Sequence, residues 1–198
     1  MKASPPLFAA LLVLAACSSS PEIRYYTLSA ESTPSGAAAI ARPAHAPYAI
    51  DAVSIPDLLD RPQIVLRTST NSVEMLEYDR WAAPLPDQIE RVLAADLSAR
   101  LGPGAVIDPG LPTNSQAKRR ITVSILGFDP SKSGESSIEA SWVISDAKSG
   151  SPVASGRVFR TRHIATTKGP DVMDIVGTMS SLVTQTATDI ATTIAADE

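Results

Sequence analysis

Apolar and polar residues alternate with a period of two along much of this chain, and in two places the spacing changes to three and four. In 120–128, Ile121, Val123 and Ile125 alternate with polar neighbours, and in 137–146 Ile138, Ala140, Trp142 and Ile144 do the same. Both segments read as half-buried strands. The segment 157–164 is less regular, with Val158, Arg160, Arg162 and Ile164 on one parity. Lys148-Ser149-Gly150 joins the last two strands as a hairpin-like turn. Earlier in the chain, 24–29, 48–55, 63–68 and 73–81 are β-favouring, separated by a turn over 56–62 and a hairpin turn at Asn71. A short strand is expected at 105–108.

The first helical stretch carries Ile89, Val92, Leu93, Leu97 and Leu101 along one side. Asp87 followed by Glu90 has the spacing of a capping box, and Gly102-Pro103-Gly104 ends the helix. The second runs over 170–195, with Val172, Ile175, Val176, Met179, Leu182, Val183, Ile190 and Ile194 on one side. Strands, helix, strands, helix is the order of an α/β domain with a mixed sheet and two amphipathic helices. The helices could share one face or take one each; their separation in sequence favours one on each face.

The N-terminus has another design. Lys2, an apolar run from Leu7 to Ala16 and the closing Leu14-Ala15-Ala16-Cys17 form the three-part layout of a bacterial lipoprotein signal. A peptidase cuts such a lipobox just before the cysteine, whose thiol carries diacylglycerol and whose new amino group takes a palmitate-type acyl chain. The run is far short of the roughly 20 residues a spanning helix needs. The expected layout is therefore a signal peptide at 1–16, lipidated Cys17 with a short tether to 23, and a single domain over 24–198. Within that domain, the Ala-, Ser- and Pro-rich stretch 31–47 reads as a loop. The tether from Ser18 to Ile23 reaches roughly 20 Å when extended, so the domain is held close to its membrane. Each buried acyl methylene contributes about 0.8 kcal/mol, so several chains make attachment effectively permanent. Ser18 in place of Asp after the cysteine points to the outer membrane, with the domain facing the periplasm.

The net charge of −4, one unit more negative once Lys2 is removed, argues against nucleic acid as a partner. With Cys17 acylated, no thiol remains for a disulfide or a metal. The chain carries no P-loop, H-E-x-x-H or G-x-S-x-G motif, and we expect no catalytic, cofactor or metal residues. His45 and His163 have nothing tying them together. Asp57 and Asp60 read as turn caps, and Glu74, Glu77 and Asp79 as the solvated face of a strand. Arg157, Arg160, Arg162 and Lys168, with Lys118, Arg119 and Arg120, form the densest basic groups. Arg160 and Arg162 are candidate contacts for an acidic partner or anionic headgroups. Trp81 reads as a core plug between strand and helix, or alternatively as an exposed contact point.

The lipobox, Tyr25-Tyr26-Thr27-Leu28, Asp60-Arg61-Pro62-Gln63-Ile64-Val65 and Asp79-Arg80-Trp81-Ala82-Ala83-Pro84-Leu85 together resemble the ABC-type transport auxiliary lipoproteins of the PqiC/YmbA type. The resemblance implies a three-layer α/β/α domain with a mixed β-sheet, similar to the N-terminal domain of TolB. It also implies a non-enzymatic outer-membrane lipoprotein that docks a periplasmic MCE-domain protein during intermembrane lipid transport. An ABC permease and ATPase would be indirect partners, and a homo-oligomeric ring is a possible assembly. Of the family's properties, only acylation transfers to a residue, Cys17. An alternative function is a tethered regulator or scaffold of peptidoglycan synthesis, which the six-residue tether disfavours. A hydrolase on a lipid anchor lacks an assembled nucleophile and base.

Overall fold

A computed structural model describes residues 21–30, 43–110, 116–164 and 170–197. The expected signal peptide, Cys17, most of the loop at 31–47 and Lys168 lie outside the described residues. The elements in chain order are β1 (Arg24–Tyr26), β2 (Tyr48–Ser54), β3 (Gln63–Ser69), β4 (Ser72–Trp81), α1 (Leu85–Leu101), β5 (Arg119–Asp129), β6 (Glu135–Asp146), β7 (Pro152–His163) and α2 (Val172–Ala196). The chain is α/β with mixed strand directions, the class expected from its pattern. The strands divide into two sheets, ordered β1-β4-β3 and β2-β5-β6-β7. β1 runs parallel to β4 and β2 parallel to β5; the other neighbours are antiparallel. The sheets meet where the Arg67 N–H donates to the Pro130 carbonyl at 2.8 Å. There Arg67 and Ser131 form an isolated parallel bridge. The expected strand at 105–108 is reduced to a single bridge between Val106 and Tyr48.

Both helices lie on one side of the four-stranded sheet. α1 packs on β2 and on α2, and α2 packs on β6 and β7. The helix layer is thus a pair rather than one helix per face, and the chemistry of the strands explains the choice. The inward residues Ile121, Val123, Ile125, Ile138, Ala140, Trp142 and Ile144 are all buried. The other face carries Thr122, Ser124, Ser141 and Thr161, which need no cover.

A buried polar contact joins the helix pair. The Thr184 hydroxyl donates to the buried Asp96 carboxylate at 2.6 Å, joining α2 to α1. Thr178, Ser180 and Thr186 are also buried, and each donates to the carbonyl four residues back. These bonds satisfy hydroxyls that would otherwise be costly to bury.

Helix starts differ from expectation in an instructive way. α1 begins at Leu85 with Pro84 as its N-cap, so Asp87 sits inside the first turn and the Asp87–Glu90 capping box does not form. Pro86, which lacks an N–H, tolerates this position. Burial and the nearby Asp87 charge raise the Glu90 pKa. A true capping box closes on α2 instead: Asp171 accepts from the Asp174 N–H at 2.8 Å, and Asp174 accepts in return from the Asp171 N–H. The D-x-x-D spelling at that site was the available signal.

Trp142 of β6 faces Gly156 of β7 across the ladder. A Cβ added at Gly156 would stand 2.3 Å from Trp142 Cζ2, so the indole fills the place of the missing side chain. Gly156→Val should therefore lower stability by about 1–3 kcal/mol through overpacking. Ser155→Val, on the exposed side of the same strand, should cost much less. Urea unfolding of the two variants checks this contrast.

Candidate functional site

The three sequence motifs converge at one end of the three-stranded sheet. Register places Tyr26 beside Trp81 and Arg24 beside Asp79, while β3 brings Gln63 opposite Arg80. The backbone closes the junction: Trp81 N–H donates to Pro62 O at 2.7 Å, and Ala82 N–H to Tyr26 O at 2.8 Å. An open cleft of about 310 Å³ lies here, lined by Asp60, Arg61, Pro62, Trp81, Ala83, Pro84 and Leu85. Trp81 is 6% exposed and belongs to the main core cluster. It is the plug between strand and helix, with part of its surface at the cleft wall.

Asp79 corrects the sequence reading of a solvated strand face. It is buried, because a register shift between Val65 and Gln63 lets β4 turn Asp79 and Trp81 inward after the exposed Glu77 and Tyr78. The Tyr26 hydroxyl donates to Asp79 Oδ1 at 2.8 Å. Arg24 approaches both carboxylate oxygens, at 2.8 and 2.9 Å. Burial raises the Tyr26 pKa, and the hydrogen bond to Asp79 and its charge raise it further. Glu74 is an exposed partner of Lys132 at 2.9 Å. Asp57 and Asp60 do belong to a turn, in which Asp60 N–H donates to Asp57 O.

Gln88 is the second tie, and sequence reasoning missed it because a glutamine on a helix usually faces water. It is 1% exposed. Its side chain accepts from the Leu28 N–H at 2.8 Å and donates to the Ala83 carbonyl at 2.7 Å. The neighbouring Ser29 N–H donates to Ser180 of α2 at 3.2 Å. The chain leaving β1 is thereby fastened to both helices.

The basic residues that read as one group are divided. Arg160 pairs with Asp189 of α2 at 2.6 Å, tying β7 to the helix layer. Arg162 lies two residues further along the same side and is exposed. Arg157 points to the other face and pairs with Glu139. Arg119 is bonded to Asp146, and Arg120 to Asp51. Among the described residues, no group of His, Cys, Asp and Glu has the arrangement of a metal site, and no helix is long and apolar enough to cross a membrane.

The sequence profile of the ABC-type transport auxiliary lipoprotein component family matches residues 26–191. The chain belongs to this family. It is 30% identical over 184 residues to the intermembrane transport lipoprotein PqiC of Escherichia coli strain K12, spanning 92% of each chain, and equally to PqiC of Shigella flexneri. Among solved structures, it resembles a Xanthomonas campestris protein with a TM-score of 0.65 at 16% identity, covering 84% of this chain and 92% of that one. An uncharacterised protein matches with a TM-score of 0.60 at 20% identity, covering 87% and 98%. These two likenesses establish the fold. The family match makes the protein a lipoprotein auxiliary component of transport, and the segments 26–28, 60–65 and 79–85 within the matched region meet at the junction.

Two outcomes follow from the junction. Gln88→Ala strands the buried Leu28 N–H and frees the part-buried Ala83 carbonyl at the cleft, so it should cost on the order of 1–3 kcal/mol, chiefly from Leu28, read as a lower urea midpoint. Tyr26 should titrate above the ordinary 10.0, and Asp79→Ala should move it back toward that value in NMR titration of its ring. Because the folded pKa is raised, the stability tied to Tyr26 is present below pH 10 and is lost as pH rises through the folded pKa.

Proposed function

We propose that this protein is a non-enzymatic, lipid-anchored docking subunit of an intermembrane lipid transport system, holding a periplasmic MCE-domain protein at the outer membrane. The observation that carries this reading is the relationship to PqiC, named an intermembrane transport lipoprotein, which extends over nearly the whole of both chains. Cys17, following Leu14-Ala15-Ala16, is the acylation site, and Ser18 directs the product to the outer membrane. A lipid needs an apolar route through water, and an anchored adaptor holds the end of that route against its membrane.

The junction geometry supports an architectural use of the motifs. Asp79, Tyr26 and Gln88 spend their polar atoms on bonds within the domain. The surface left for a partner includes the cleft beside Trp81 and the exposed Arg162. The MCE protein is the direct partner, and the permease and ATPase are reached through it; a ring of subunits would let several copies hold one tube.

In native membranes the full-length protein should co-purify with an MCE-domain protein; solubilised under mild conditions without any such partner, it would not be a docking subunit. Cys17→Ala should move the protein from the membrane to the soluble fraction, and its retention in the membrane would contradict the anchoring step.

A further inference from the structure

We propose that the outer face of β1 and β4 is a bilayer-contact surface, through which the domain rests on the interfacial region of the membrane that carries its anchor. The inference rests on the proposed acylation of Cys17 and adds to it an orientation. Tyr25 and Arg80 are register partners, Gln63 is the partner of Arg80 on the other side, and Tyr78 lies two residues before Arg80 on β4. These side chains share the face opposite to buried Asp79 and Trp81. Tyr25 is 64% exposed, Tyr78 43%, and Ile23, immediately before β1, 37%.

Two tyrosines, an isoleucine and an arginine on one face make a surface with apolar bodies and polar tips. That is the chemistry suited to a bilayer interface, where a ring sits among acyl ends and its hydroxyl meets headgroups. Arg80 stands 3.7 Å from the exposed Glu77 carboxylate, a solvent-screened pair whose guanidinium can exchange that partner for phosphate oxygens.

The position of this face in the chain commits it to the membrane rather than to a distant partner. Ile23 is six residues from Cys17, so the patch cannot stand more than roughly 20 Å along the chain from the acyl chains. Net charge cannot orient the domain, since an excess of acidic residues is not drawn to anionic lipids. The patch is also rigidly presented: Asp79 binds Tyr26 and Arg24 on the inner side of the same strand pair. A single point of attachment would leave the domain free to turn, whereas a rigid aromatic face selects one orientation.

The test uses the full-length acylated protein in vesicles of phosphatidylethanolamine and phosphatidylglycerol containing a headgroup nitroxide lipid. Single cysteines at Gln63→Cys and Phe159→Cys carry a fluorophore; Phe159 is 62% exposed on the four-stranded sheet and serves as the reference. The label at 63 should be quenched several-fold more than that at 159. Tyr25→Ser with Tyr78→Ser should bring 63 down to the level of 159 while the protein still floats with the vesicles. Equal quenching at both positions in floating protein would overturn the orientation and leave the anchor standing. Unchanged quenching at 63 in the double variant would show that the tether alone sets the height, also overturning it. Shielding of the label at 63 by self-association in detergent without lipid would assign the face to a second copy instead. Protein that fails to float would refute the anchoring reading and this one with it.

Discussion

A single buried carboxylate, Asp79, governs how the start of the domain is held. β1 is three residues long and has one strand neighbour, β4, and so short a parallel pairing is weak by itself. Asp79 compensates by taking hydrogen bonds from the Tyr26 hydroxyl and the Arg24 guanidinium on that strand. Its burial makes both partners matter, because an unpaired carboxylate with little access to water is strongly unfavourable. Gln88 then fastens the next turn of chain to α1, and Ser180 fastens it to α2. Any force on the proposed anchor is delivered through these bonds into the helix layer.

The helix layer follows from where small and polar residues fall. α2 buries Ser180, Thr184, Ala187 and Ala191 along with its larger apolar residues, and Asp96 of α1 meets Thr184 at the seam. The far face of the four-stranded sheet is built to meet water, with Thr and Ser around a few exposed apolar residues such as Val143 and Phe159. Ion pairs between Arg160 and Asp189 and between Arg67 and Asp129 close the margins, each contributing modestly where solvent screens them.

Much of this was legible in the chain. The strict alternation over 121–125 and 138–144 located β5 and β6 with their buried faces, and the three-and-four spacing located both helices. The family motifs also marked the residues that meet at the junction. What escaped was set by contacts distant in sequence. Asp79 read as solvated because the register shift in β3–β4 reverses its facing, and no local pattern encodes that shift. Gln88 read as an ordinary helix residue because its partners, Leu28 and Ala83, meet it only through β1 and the bend before α1. The basic cluster dissolved for a related reason: neighbours in sequence on a strand point to opposite faces. The cap on α1 was misplaced because Pro86 moved the helix start upstream of Asp87.

The central claim joins a membrane to a rigidly held first strand through one modified residue. Intact-mass spectrometry of the mature protein from native membranes addresses it most directly. The account predicts a chain beginning at Cys17 and carrying the added mass of a diacylglyceryl group and an amide-linked acyl chain. A mature chain that retains residues 1–16, or begins at an unmodified Cys17, would contradict it.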